Sequence, residues 1–357
     1  MRVLCTVRTV TITDRPTTIH FVGSYPANSA REALRDMLTD ETKSNLYALT
    51  DGETDRKDWV VDQIESYRRN PAFVLVEDGD WSDYTRCPAF AVAPGRELLP
   101  EDIGLRYHEW ADASWETFDA ARRAAGRPDL RYQVGIPTGF DMALFTLGPE
   151  RGMREDAIEA FVRATVEQIE AIHGAPYGGD VVYQLETPAG LSLALAVDDP
   201  AYRRGLAMRL VDLVARAPEG SRFGIHLCVG DLGNEARTQP ATRRASVEFA
   251  NAVAENWPAG RHLDFVHEPI AAGRSVPRRD EAMYADLGDL RLPSGTRYIA
   301  GMVHEAQRME DQQAVLALVR RHLPEGQSLG VAAACGLGRR SREAARDVVR
   351  RMTRLTR

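Results

Sequence analysis

Short apolar runs rich in branched and aromatic residues recur along this chain, and longer stretches with helical spacing separate them. The runs predict strands at Thr18–Val22, Leu46–Leu49, Arg131–Ile136, Val181–Leu185, Phe223–Leu227, Leu263–Val266, Tyr298–Val303 and Leu329–Ala334. Between them, Ala157, Phe161, Ala164, Ile169 and Ile172 mark one apolar helix face, and Tyr202, Leu206, Leu210 and Leu213 mark another. Strands that alternate with amphipathic helices belong to parallel β/α units. Eight such strands predict a single α/β domain over residues 1–357, a closed (β/α)8 TIM barrel. The alternating segment Arg2–Thr13 adds an N-terminal extension, read as an extra strand or hairpin.

The pattern fails between residues 73 and 129, where Trp81, Tyr84, Cys87, Pro88, Pro94, Trp110 and Trp115 stand in an irregular, aromatic-rich stretch. Such a length predicts an insertion after the second strand, either a lid over a site or a dimer contact. Ala271–Asp280, with Gly273 and Pro277, reads as a long loop after the sixth strand.

A net charge of -7 leaves no basic footprint for nucleic acid. No run of about 18 apolar residues predicts a membrane span, and no leader pattern is read at the start, so a cytoplasmic protein is expected. The Arg-rich stretch from Arg339 to Arg357, interleaved with Glu343 and Asp347, reads as a solvated helix face. Four cysteines at 5, 87, 228 and 335 are too sparse for a disulfide framework.

The chemistry gathers where strands end. His226 and Cys228 are two apart, so on a strand both side chains face the same way. Cys335 ends the last strand just before Gly336-Leu337-Gly338 and reaches the same point across a barrel. One imidazole and two thiols suit zinc with one position left open. Other strand ends carry Gly23-Ser24-Tyr25-Pro26, Gly52-Glu53 with Arg56, Gln184-Leu185-Glu186 and His304-Glu305. Glycine followed by serine offers open backbone N–H groups to a carboxylate, and Glu53 with Glu186 could hold an ammonium group, Glu53 oriented by Arg56. The sixth strand ends in His267-Glu268, and alternation lets only one of the two point inward.

In order along the chain, these pieces resemble the C-terminal catalytic barrel of the cobalamin-independent methionine synthase family, within the superfamily that also holds uroporphyrinogen decarboxylase. The resemblance rests on Val22-Gly23-Ser24-Tyr25-Pro26, Gly52-Glu53 with Arg56 and Asp58, Gln184-Leu185-Glu186 with Pro188, His226-x-Cys228, an acid after strand six, His304 and Cys335-Gly336-Leu337. It implies a zinc-dependent methyltransferase that activates a homocysteine-like thiol as the zinc thiolate for attack on a methyl donor such as 5-methyltetrahydrofolate. His226, Cys228, Glu268 and Cys335 would bind zinc, Gly23, Ser24, Glu53 and Glu186 the amino-acid acceptor, and His304 would give the leaving group its proton. Partners would be the thiol and the donor, with neither nucleic acid nor membrane, in a possible homodimer. Two alternatives stay open: zinc-dependent alkyl transfer from an epoxide-type electrophile, and a metal-free decarboxylase-like lyase. Glu186 stands where the family has an aspartate, and Gly135-Ile136-Pro137-Thr138-Gly139-Phe140-Asp141 offers no tryptophan for the family's folate stack.

Overall fold

The computed structural model describes residues 17–357, so the expected extension at Arg2–Thr13 lies outside the described residues. Chain order runs β1 (Thr18–Ile19), α1 (Ala30–Met37), β2 (Ala48–Leu49), α2 (Trp59–Ser66), β3 (Phe73–Glu77), β4 (Ala89–Val92), α3 (Pro100–Ile103) and α4 (Tyr107–Ala124). It continues with β5 (Arg131–Pro137), α5 (Gly139–Gly152), α6 (Glu155–Gly174), β6 (Val181–Glu186), α7 (Pro188–Ala196), α8 (Pro200–Arg216), β7 (Arg222–His226) and α9 (Arg244–Glu255). It ends with β8 (His262–Pro269), β9 (Arg297–Gly301), α10 (Met309–His322), β10 (Leu329–Ala332) and α11 (Arg342–Thr356).

Eight strands form one parallel, curled sheet in the order β1-β10-β9-β8-β7-β6-β5-β2, each overlapping one of the runs read from the sequence. Its two end strands meet at one parallel bridge, Ile19 to Leu46. After β8, 3-10 turns over Glu281–Asp289 take the place of an α-helix, beyond the long loop expected there. Among the described residues no helix is long and apolar enough to cross a membrane.

The apolar helix faces do what their spacing requires. Ala157, Phe161, Ala164, Ile169 and Ile172 of α6 and Leu206, Leu210 and Leu213 of α8 are buried, with Tyr202 packed partly buried against the same core. Val22, Ala48, Val182, Phe265, Ile299 and Ala332 form a separate small cluster inside the curled sheet. Burying one such Phe or Ile removes it from water for roughly 2 kcal/mol.

Residues 73–129 are more regular than their sequence suggests. β3 and β4 make an antiparallel hairpin with an irregularity between Leu75 and Glu77, and α4 follows as an 18-residue helix. Its buried face is Tyr107, Ala111, Phe118 and Arg122, helical in spacing but carried by aromatics and an arginine. That composition hides the period from a reading based on aliphatic residues.

Where the strands begin, charges are fully opposed. Asp264 accepts from Tyr47 Oη at 2.6 Å and from Arg222 Nε at 2.8 Å, and Arg297 lies 4.0 Å from the Tyr47 ring centre.

Candidate metal centre

Three soft donors converge where β7 and β10 end. One ligand atom each from His226, Cys228 and Cys335 lies within 4.8 Å of the other two. His226 and Cys228 are buried, Cys335 is half-buried, and all three cysteines of the described residues are unbridged. His226 Nε2 faces Cys335 Sγ at 3.7 Å, and Cys228 Sγ accepts the Gly230 amide at 3.3 Å. Hydrogen bonding from Cys335 holds Cys228 well below the usual thiol range despite burial. Cys228 in turn, with burial, pushes Cys335 well above it. Burial is the largest influence on His226 and opposes its charge, yet Cys228, Glu186 and Asp231 together hold the imidazole above its ordinary value. One imidazole, one thiolate and one thiol at this spacing fit a zinc ion.

Glu268 does not join them. Alternation along β8 sends Phe265 and His267 to the inside, so Glu268 points away. Its Oε2 accepts from Tyr298 Oη at 2.6 Å and its Oε1 lies 3.5 Å from Arg243 Nη1. His267 holds the inner position instead, its Nδ1 2.7 Å from His226 Nδ1 and its Nε2 3.0 Å from Ala333 O. Gly301 makes that possible, because a Cβ there would come 2.6 Å from His267 Nε2.

A cavity of about 340 Å³ is lined by Cys228 and Cys335 together with Glu53, Glu186, Gly23 and Ser24, and Glu186 pairs in register with His226 on the neighbouring strand. A Cβ on Gly135 would lie 3.1 Å from Glu53 Oε1 and 3.3 Å from Glu186 Oε1, so the carboxylates share one small space. Burial is the largest cause that pushes both upward, and like charge adds to it, from Glu186 on Glu53 and from Cys228 on Glu186. Glu53 also sits at φ 46, a left-handed conformation that costs a non-glycine residue about 1 kcal/mol.

The turn holding Glu53 is braced by a residue the sequence reading passed over. Asp51 Oδ1 accepts the Glu53 amide at 3.0 Å, and Arg56 grips both Asp51 oxygens at 2.9 and 2.8 Å. Arg56 therefore acts on Glu53 through Asp51. Gln184 Nε2 reaches Glu186 Oε1 at 3.3 Å, and Gln184 Oε1 faces His20 Nε2 at 2.9 Å. Ser24 is tied to the last strand's loop, its carbonyl accepting from Leu337 N at 2.6 Å and its Oγ from Gly338 N at 3.3 Å. Among the described residues the amides of Gly23 and Ser24 have no acceptor.

Two further expectations change. His304 lies outside the cavity lining, its Nε2 3.0 Å from Gly273 O and its Nδ1 accepting the Ala306 amide at 3.1 Å. Both ring nitrogens are thereby engaged, and burial holds its pKa down. Arg339 is no solvated helix residue: it precedes α11, lines the cavity and bridges Asp58 at 2.9 Å to Asp231 at 3.0 Å. Arg340 is buried beside it, on Glu305 and Gly273 O. No single-residue signal in the sequence marks these arginines, since their partners come from distant loops.

The hairpin closes one side of the cavity through Glu77, Trp81, Tyr84, Thr85 and Cys87. Tyr84 Oη donates to Glu235 O at 2.9 Å and accepts from Leu232 N at 2.8 Å, fastening the hairpin to the loop after β7. Of the aromatic residues flagged in the sequence, Tyr84 makes this contact and Trp81 lines the cavity beside it, while Trp110 packs on Trp59 and Trp115 on Tyr177.

No protein-family model and no curated protein matches this chain. Solved structures do. A B12-independent methionine synthase from Shewanella sp. W3-18-1, in complex with selenomethionine, superposes with a TM-score of 0.58 at 15% identity, over 96% of both chains. A putative vitamin-B12 independent methionine synthase from Listeria monocytogenes gives 0.51 at 15% identity, over 96% of this chain and 97% of that one. A methyltransferase from Methanosarcina mazei gives 0.52 at 12% identity, over 95% and 94%. At these identities the likeness is one of fold.

Proposed function

We propose that this chain is a zinc-dependent methyltransferase acting on an amino-acid thiol such as homocysteine. One observation carries the reading: the two sulfurs of a His-Cys-Cys cluster and a pair of buried carboxylates line one cavity. His226, Cys228 and Cys335 would hold zinc, which when bound supplies the Lewis acidity that keeps a substrate thiol deprotonated at neutral pH.

The protein's own groups orient the acceptor. Glu53 and Glu186 take its ammonium group, and the cation offsets the burial and the like charge that raise both carboxyls. Gly23 and Ser24 line the same cavity, and their free amides suit its carboxylate. The hairpin over residues 73–92 serves as a lid that excludes water from the reacting sulfur, with Trp81 and Tyr84 as its inner surface. The fold likeness to enzymes named as methionine synthases, one of them solved with selenomethionine, supports an amino-acid acceptor of this kind.

The test is zinc content together with thiol-dependent alkyl transfer, run with homocysteine and with a simple thiol, against a methyl folate, other methyl donors and an epoxide. The reading expects about one zinc per chain and methyl transfer to homocysteine, with both lost in Cys228→Ser. A folded protein that never retains zinc would sink it, and turnover with the epoxide alone would move it to alkyl transfer.

A further inference from the structure

The bond between two imidazoles decides which nitrogen His226 offers. His267 Nε2 lies 3.0 Å from Ala333 O, and a carbonyl can only accept, so Nε2 carries a hydrogen. His267 is fully buried among His20, His226 and Phe265, where a cation has no counter-charge, so it has one ring hydrogen and that one is spent. Its Nδ1 is then a bare acceptor 2.7 Å from His226 Nδ1, which must be the donor. In its neutral form His226 consequently holds its one hydrogen on Nδ1 and turns a bare Nε2 toward Cys335 Sγ at 3.7 Å. A free imidazole prefers the opposite tautomer, with the hydrogen on Nε2, which would block the metal-facing nitrogen.

We infer that His267 is a positioning residue: with the Ala333 carbonyl behind it, it sets the tautomer of His226 so that Nε2 is ready for a metal before any metal arrives. The inference rests on the zinc reading above for its purpose, but the tautomer itself belongs to the protein alone. Outer partners of this kind are worth about 10- to 100-fold in metal affinity.

The experiment combines two readouts on the whole chain. In metal-free protein labelled with ¹⁵N at histidine, NMR above the His226 titration is expected to show Nδ1 protonated and Nε2 bare for His226, and the reverse for His267. Zinc affinity, read by competition with a chromophoric chelator, is expected to fall about 10- to 100-fold in His267→Leu. His267→Asn, whose Oδ1 can stand near the lost Nδ1 acceptor, is expected to recover most of that loss. The inference is overturned by a wild-type His226 protonated on Nε2, by a folded His267→Leu that binds zinc as wild type does, or by a His267→Asn no better than His267→Leu. Because the wild-type spectrum needs no variant, a variant that fails to fold does not protect the idea. If wild type retains no zinc, the functional reading fails while the spectrum still decides the tautomer.

Discussion

Where the strands begin, Asp264 meets Arg222 and Tyr47, so each charge faces its opposite or a donor. Where they end, Glu53 faces Glu186, and Cys228 and Cys335 share one hydrogen between two sulfurs, so like meets like. The same barrel thus carries one rim that is settled without help and one that is not. Each like pair at the second rim is relieved by the same kind of visitor, a cation: a metal for the sulfurs, an ammonium group for the carboxylates. The first rim contributes stability, and the second gives some up to keep a place for ligands.

Four changes test that contrast, in falling order of effect. Cys228→Ser removes the thiolate around which the cluster is built. Zinc affinity should drop by about 1,000-fold or more, beyond the loss expected for an outer partner, and chelator competition would expose a smaller fall.

Next comes the settled rim. Asp264→Ala leaves Arg222 and Tyr47 without their acceptor, and the unfolding free energy in a denaturant titration should fall by about 3 kcal/mol. Zinc affinity should not move; a joint loss of both would mean that the rims are not independent.

Glu186→Gln keeps the shape of the side chain and takes away half of the ammonium site. The Kd for an amino-acid thiol should rise about 10-fold while stability at pH 8 holds or improves, because a like charge has gone. Unchanged binding with the amino acid but not with a simple thiol would remove Glu186 from the acceptor site.

The smallest effect is a slope with pH. Both carboxyls have folded pKa values raised above their unfolded ones, so between those values the native state binds more protons than the unfolded chain. Stability from this source is therefore present below the ordinary carboxylate range and is lost as pH rises from about 5 toward 8. Asp51, Arg56, Arg339, His226 and Cys228 also face the pair, so the control is Glu53→Gln, which should flatten the slope in thermal unfolding. An amino-acid ligand should reverse it.

The eight strands were legible because a parallel strand is buried on both faces and reads as an unbroken apolar run. His226 and Cys228 were legible as soft donors at a strand end, although β7 stops at His226 and a turn, with the Cys228 amide on the His226 carbonyl at 2.8 Å, rather than strand alternation, brings Cys228 in. The choice between His267 and Glu268 was not: alternation says that they differ, and only the position of Phe265 in the inner cluster says which is inside. His304 looked like Glu186, a polar residue at a strand end, yet Gly273 and Ala306 claim its ring. Asp51 and Arg339 escaped notice because their roles are set by loops that the fold brings together from residues 51–58, 231 and 339. Helix α4 was hidden by its aromatic face.

The sheet closes between β1 and β10, pairing Thr18 with Gly330, and beyond that one bridge joins Ile19 to Leu46. Strands β5 to β9 pair with sequence neighbours, so they can zip up in order as the chain is made, while the first strand must wait for the last at a high cost in loop closure. Cys335 arrives on that last strand, and the Ser24 contacts to Leu337 and Gly338 form with it. The third donor therefore doubles as a clasp: until the ring is shut the cluster has only His226 and Cys228, and a metal held by all three would fasten the seam that folding completes last.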